Sequence, residues 1–123
     1  MGNPVPHKLR RAGERIVESL LIRLGLRDPL LPPRRLIDSV GGGDYKAVGS
    51  RWFGHFTRIG GFRPDDRVLD VGCGCGRMAV PLLNYISDKG GYWGFDITRE
   101  GISWCNRRIA SRRSNFHFSL ADI

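Results

Sequence analysis

The sequence is poor in cysteine, and this shortage excludes two kinds of protein. Only three cysteines occur among 123 residues, at positions 73, 75 and 105. They are too few and too unevenly spaced for the disulfide framework of a small secreted domain. Cys73 and Cys75 have no second Cys or His pair at a matching spacing, so the sequence predicts no metal site. A reduced, cytoplasmic setting suits this composition better.

Long apolar runs are also missing, and this argues against a membrane protein. The most hydrophobic early segment, residues 16–26, is interrupted by Glu18 and Arg23 and falls well short of the roughly 20 residues of a spanning helix. No uninterrupted apolar stretch follows the early basic residues, so no signal peptide is predicted. Arginines on an amphipathic pattern are typical of mitochondrial transit peptides, but Glu14 and Glu18 argue against one.

Acidic residues are scarce beside basic ones, with 12 Asp and Glu against 20 Lys and Arg and a net charge of +8. The excess lies in the first 63 residues, which hold 12 basic and 5 acidic side chains. Clustered guanidinium groups attract phosphates, so a nucleic-acid partner stays open. The sequence has no run of five basic residues and no recognisable nucleic-acid module, and we favour a solvated basic face.

Residues 1–40 predict a helical extension followed by a linker. Apolar residues at helical spacing over residues 8–26 face away from arginines and glutamates, which predicts an amphipathic helix. Three prolines within residues 28–35 cannot continue that helix and predict an extended linker. After a run of three glycines, Asp44 is a good N-cap for a helix over residues 45–59, whose aromatic face we expect to pack in the core.

Residues 64–123 predict an α/β fold. Three short apolar or alternating segments predict strands, and the first of them, around Val68, Leu69 and Val71, is typical of a parallel strand buried on both faces. Helices are expected over residues 77–86, where Pro81 should cost a hydrogen bond, and after Thr98.

The element order βαβαβ indicates a Rossmann-like open parallel sheet with right-handed crossovers. The sequence contains only the first three strands, so it predicts a truncated cofactor-binding domain over residues 41–123, with its motif-bearing core at residues 64–123.

Three features should meet where the strands end. In open parallel sheets, ligands bind beyond the carboxyl ends of the strands. Glycines at 72, 74 and 76 allow a sharp turn and a close approach of ligand to main-chain amides, and the amides of the following helix would favour an anionic group. Asp96, 20 residues after Gly76, can accept the hydroxyl protons of a ribose. Together these residues indicate a nucleoside-bearing cofactor.

The spacing of the glycines separates two families of cofactor-binding domains. The dinucleotide fingerprint Gly-x-Gly-x-x-Gly would require a third glycine at position 77, which is Arg77. The stretch at residues 68–76, Val-Leu-Asp-Val-Gly-Cys-Gly-Cys-Gly, instead resembles the first motif of class I S-adenosylmethionine-dependent methyltransferases. The stretch Gly94-Phe95-Asp96-Ile97 is similar to their second motif, and Ala121-Asp122-Ile123 is similar to their third. The resemblance is close over residues 64–123 and looser over residues 41–61.

The resemblance implies S-adenosylmethionine as the cofactor. It implies that the glycines line its methionine and ribose portions, with Asp70 near the methionine ammonium. It also implies that Asp96 binds the ribose diol and that Ile97 packs on the adenine. Asp122 would approach the adenine amino group, although a plain turn acid remains the alternative. The implied cofactor-binding residues are Asp70, Gly72, Cys73, Gly74, Gly76, Asp96, Ile97 and Asp122.

The same resemblance implies methyl transfer to an acceptor that the sequence does not identify. In this family the residues that act on the acceptor come mostly after the fourth strand, so we expect the catalytic residues beyond residue 123. Two alternatives stay open: a fragment of an NAD-binding oxidoreductase, and an inactive module that binds cofactor weakly or acts through its basic helices.

Two further expectations concern the surroundings of the site. The missing half of the sheet would leave the flank of the first strand unpaired, which predicts marginal stability and self-association. Tyr45 follows a glycine-rich segment that could fold over the cofactor as a lid, but we favour core packing for it.

Overall fold

The computed structural model describes Pro4 and residues 6–122, and its contacts divide the chain into two units between Leu31 and Pro32. The first unit contains α1, His7–Arg23. Its amphipathic pattern agrees with the prediction, and the helix ends three residues early. Gly25 adopts the left-handed φ of 69° that closes many helices, and its amide donates to the carbonyl of Ile22.

The second unit is built on three parallel strands, as the sequence predicted. They are β1 (Arg67–Val71), β2 (Gly91–Asp96) and β3 (Phe116–Leu120), and β2 lies in the centre. All three strands therefore end at the same edge, which brings the segments after Val71, Asp96 and Leu120 together.

Helices and turns of the second unit cover one face of this sheet. They are α2 (Arg34–Ser39), α3 (Tyr45–Arg58), α4 (Ala79–Leu82) and α5 (Arg99–Cys105), which continues into a π-helical turn at Asn106–Ala110. Large side chains fill the space between the two layers. The fully buried ones include Tyr92, Trp104, Ile109 and Phe116.

The prediction that β1 is buried on both faces is wrong. Leu69 is 67% exposed and Val71 is 69% exposed, while Val68 on the other face is half-buried. Leu69 and Val71 share an open face with Trp93, which stacks on His117 with ring centroids 5.3 Å apart. Since β1 is also an edge strand, neither its flank nor this face is covered by the described residues.

Two helix predictions also need correction. The helix expected over residues 77–86 shrinks to the four residues of α4, because Pro81 has no amide to donate and turns take the place of the regular ladder. So short a helix has little dipole to offer an anion, and the expected contribution of its amides is lost. Conversely, residues 34–39 form α2 directly after Pro33, where the sequence predicted only the linker and its continuation.

The aromatic face of α3 is buried only at its beginning. Tyr45 is 2% exposed, whereas Trp52, Phe56 and Ile59 are exposed, contrary to the prediction that this face packs in the core. The far end of the helix lies beside the free edge of β1, where Phe56 and Leu69 border an open cavity of about 300 Å³. No further strand among the described residues covers these side chains.

Candidate functional site

A bend with a left-handed glycine at every second residue follows β1. Gly72, Gly74 and Gly76 have φ values of 78°, 56° and 79°, a region that residues with a side chain rarely adopt. The amides of Gly72 and Cys73 both donate to the carbonyl of Phe95, at 2.9 and 3.1 Å. These bonds hold the bend against the end of β2. Around Gly72 a Cβ atom would meet nothing within 4 Å, so this part of the bend adjoins open space.

The carboxylate of Asp96 meets the bend directly. One oxygen accepts a hydrogen bond from the amide of Gly74 at 2.9 Å, and the other accepts one from the amide of Thr98 at 2.7 Å. Burial alone would raise the pKa of Asp96, but hydrogen bonds from Thr98, Gly74 and Ile97 outweigh it and lower the pKa below its ordinary value. Asp96 is therefore ionised at neutral pH, and its oxygens keep lone pairs for two further donors.

Asp70 lies on the helix-covered face of the sheet, near the end of β1. Its carboxylate accepts a hydrogen bond from the hydroxyl of Tyr92. Burial, the charge of Asp70 and this hydrogen bond raise the pKa of Tyr92 well above its ordinary value, so the phenol stays a donor. One oxygen of Asp70 is thus engaged inside the protein, and the carboxylate also borders the cavity beside β1.

The cysteines near the bend face inward. Cys73, Cys75 and Cys105 are buried and unpaired. A Cβ atom on Gly94 would lie 2.9 Å from the Cβ of Cys73, which shows how closely that side chain packs on β2. Only the backbone of Cys73 is therefore placed to contact a ligand. Burial raises the pKa of Cys75 to about 11, although the charge of Arg77 opposes it, so this thiol stays protonated and unreactive.

Among the residues that the structure describes, no group of three His, Cys, Asp or Glu side chains is arranged to hold a metal ion. Within the same described part of the chain, no helix has the length and apolar character required to cross a membrane.

The remaining predicted site residues lie along the same edge. Ile97 follows Asp96 and is 68% exposed, so its side chain offers an apolar surface beside the carboxylate. The amide of Ala121 donates to the carbonyl of Asp96 at 2.9 Å, which joins the end of β3 to the end of β2. Asp122 is exposed at this edge. The last residue of the third motif, Ile123, lies outside the described residues.

Sequence reasoning missed the residues that hold the bend from outside. The hydroxyl of Tyr45 donates to the carbonyl of Cys75 at 2.8 Å, and the guanidinium of Arg77 donates to the carbonyl of Gly42 at 2.7 Å. Tyr45 is packed in the core rather than in a lid. The aromatic residue after a glycine run was the available signal, but a partner that is a backbone carbonyl has no signature in a sequence.

An open parallel sheet that ends in a glycine bend, with an ionised aspartate hydrogen-bonded to that bend, is the arrangement of a Rossmann-like domain. Residues 62–123, about half of the chain, match the family described as a methyltransferase domain. The chain belongs to this family.

One curated protein is similar to half of this chain. A probable cobalt-precorrin-6B C(15)-methyltransferase (decarboxylating) of Thermoplasma acidophilum is 36% identical over 63 residues, which are 50% of this chain and 31% of that protein. The chain therefore spans about a third of the length of this curated relative.

Two solved structures share the fold. A SAM-dependent methyltransferase from Aquifex aeolicus aligns with a TM-score of 0.51 and 20% identity, over 78% of this chain and 48% of that one. A coclaurine N-methyltransferase, solved with N-methylheliamine and SAH, aligns with a TM-score of 0.55 and 15% identity, over 96% of this chain and 38% of that one.

Proposed function

We propose that this chain binds S-adenosylmethionine and forms the cofactor-binding part of a methyltransferase. The observation that carries the proposal is the contact between the Asp96 carboxylate and the Gly74 amide, which brings the acid of the second motif to the glycine bend of the first. Open space around Gly72 and the exposed side chain of Ile97 leave room beside this contact for a nucleoside.

Each predicted residue other than Cys73 has a physical task in this site. Ionised Asp96 accepts hydrogen bonds from the two ribose hydroxyls, and Ile97 provides an apolar surface for the adenine. The glycines let the main chain approach the cofactor closely. Asp70 attracts the methionine ammonium, and Asp122 accepts from the adenine amino group.

When bound, S-adenosylmethionine supplies a methyl group already activated on a sulfonium. The protein's task is then mainly to align the reacting atoms.

Calorimetric titration with S-adenosylhomocysteine tests the proposal. We expect the wild-type chain to bind and Asp96→Ala to lose about 10- to 100-fold in affinity, because hydrogen bonds to a charged group are worth about 1.5–3 kcal/mol. Asp88→Ala is the matched control: Asp88 is a fully exposed carboxylate paired with Arg113, outside the strand-end edge. A wild-type chain that does not bind, or an Asp96→Ala variant that binds as well as wild type, would contradict the proposal.

Titration with NAD separates the oxidoreductase alternative from the methyltransferase. Arg77 stands where a dinucleotide fingerprint needs its third glycine. We therefore expect no saturable heat with NAD under conditions in which S-adenosylhomocysteine binds.

The acceptor of the methyl group stays open. The names of the relatives specify cobalt-precorrin-6B and coclaurine, and two such different molecules favour no acceptor for this chain. The excess of basic over acidic residues keeps a nucleic acid among the candidate acceptors.

We propose a cytoplasmic location, because three unpaired thiols are compatible with a reducing compartment. Fractionation of cells that express a tagged chain tests this, and recovery from a membrane or organelle fraction would count against it.

A further inference from the structure

Tyr45 holds a main-chain carbonyl of the glycine bend. Its ring is buried and packs edge-on against Trp104, with centroids 6.4 Å apart, which fixes the direction of the phenol. The hydroxyl donates to the carbonyl of Cys75 at 2.8 Å. Burial raises the pKa of Tyr45, so the hydroxyl keeps its proton and remains a donor at every physiological pH.

This hydrogen bond fixes one peptide plane of the bend. The carbonyl of Cys75 and the amide of Gly76 belong to one planar peptide unit, so holding the oxygen also orients the amide. That amide donates to the carbonyl of Cys73 at 2.9 Å, which closes the turn between the outer glycines. Tyr45 therefore stabilises the last peptide unit of the bend, one residue beyond Gly74, whose amide meets Asp96.

Arg77 secures the same region from the other side. Its guanidinium lies 5.8 Å from the centre of the Tyr45 ring and donates to the carbonyl of Gly42 at 2.7 Å. Gly42 adopts a left-handed φ of 67°, a conformation that presents its carbonyl at little steric cost. Residues 42–45 and residues 75–77 are thus joined by two hydrogen bonds, one donated by each segment.

We propose that Tyr45 is a positioning residue for the cofactor. By holding the carbonyl of Cys75, it keeps the bend at residues 72–76 in the conformation that receives the nucleoside, and removal of its hydroxyl alone weakens cofactor binding. This inference rests on the proposed function. It assigns to a residue of the helical lead-in a role at the bend, which the motifs themselves do not contain.

Tyr45→Phe removes the hydroxyl and leaves the ring in place. Tyr85→Phe is the matched control, because the hydroxyl of Tyr85 donates to the carbonyl of Phe62 at 2.7 Å, a bond of the same type away from the bend. Two measurements compare these variants with wild type: amide hydrogen exchange of the ligand-free chain, and calorimetric titration with S-adenosylhomocysteine.

We expect Tyr45→Phe to speed exchange at the amides of residues 72–76 and to raise the Kd about tenfold, the effect of one lost hydrogen bond. Tyr85→Phe should change neither quantity more than about twofold, since it tests only general stability. Arg77→Met, which keeps an apolar stem, should act in the same direction as Tyr45→Phe.

Unchanged exchange at the bend in Tyr45→Phe, or faster exchange with an unchanged Kd, would overturn the positioning role. Equal losses of affinity in both Tyr variants would also overturn it, because the effect would then be one of stability. A wild-type chain that binds no S-adenosylhomocysteine contradicts the proposed function instead. In that case, the difference in amide hydrogen exchange between wild type and Tyr45→Phe still decides whether Tyr45 holds the bend.

Discussion

At the scale of single residues, the glycines of the bend are required for two different reasons. Gly72 and Gly76 have nearly equal φ values, 78° and 79°. A Cβ on Gly72 would meet nothing within 4 Å, whereas a Cβ on Gly76 would lie 2.4 Å from the Cδ1 of Ile109. Backbone conformation alone selects glycine at position 72, while packing adds a second requirement at position 76.

Alanine substitutions should separate these two requirements. Gly72→Ala should lower the free energy of unfolding only by the cost of an alanine in the left-handed conformation, about 1–2 kcal/mol. Gly76→Ala carries the same strain and also overpacks against Ile109, so it should lower the free energy of unfolding by about 2–5 kcal/mol in total. Urea unfolding of both variants measures the difference, and equal losses would contradict the packing around Gly76.

The protonation state of Asp96 predicts a pH dependence with a definite sign. Its folded pKa is lower than the ordinary value of 3.8, so its ionised form stabilises the fold above that value. This contribution is lost as the pH falls through the folded pKa. In urea unfolding between pH 2 and 6, the stability difference between wild type and Asp96→Asn should therefore shrink towards the acidic end. A constant difference would show that the carboxylate is not hydrogen-bonded in its charged form.

The residues of the bend were accessible to sequence reasoning because their chemistry is local. Left-handed glycines recur at a short, fixed spacing, and Asp96 follows at a distance set by one helix and one strand. The structure brings Asp96 and Gly74 into contact as expected, while the cofactor roles of all eight residues stay predictions. Tyr45 could not be linked to Cys75 in advance, since 30 residues and a backbone acceptor separate the partners.

At the scale of elements, periodicity predicted which strands form but not what covers them. The alternation in β3 and the apolar segments of β1 and β2 gave correct strands. The prediction that β1 is buried on both faces was wrong, because apolar residues show only that a surface can be covered. The same limit explains α3, where Trp52 and Phe56 have the spacing of a core stripe and yet are exposed. Coverage depends on neighbouring elements, which a local pattern does not contain.

The exposed flank of β1 predicts self-association. This strand presents unpaired backbone groups at the sheet edge and apolar side chains on the open face, a combination that favours pairing with another chain. We expect Val71→Lys to reduce association, because a charge there replaces an apolar side chain on the open face beside the edge. Ser119→Lys is the control, since Ser119 shares a row of the sheet with Val71 but lies on β3.

Sedimentation velocity over a concentration series measures this association. A concentration-dependent shift in the wild-type chain that is lost in Val71→Lys and retained in Ser119→Lys is the expected result. A monomeric wild-type chain at all concentrations, or equal behaviour of both Lys variants, would contradict a role for the β1 flank.

At the scale of the whole molecule, cofactor binding and methyl transfer place different demands on the fold. Every residue predicted to contact the cofactor lies at the end of one of the three strands or directly after it, so these predicted contacts need only the second unit. Methyl transfer also requires an acceptor held in line with the sulfonium. The chain spans between 31% and 48% of the lengths of the similar proteins compared with it, and the motifs within it account only for the cofactor.

We therefore expect the 123-residue chain to bind S-adenosylhomocysteine and to show little or no methyltransferase turnover on its own. Release of S-adenosylhomocysteine from S-adenosylmethionine, measured over a panel of amine, hydroxyl, carbon and nucleic-acid acceptors, provides the test. Robust turnover would mean that the acceptor is aligned by groups within the described residues. The open cavity beside β1, where Asp70 meets apolar side chains, would then be the first place to search for it, because it borders a predicted cofactor residue.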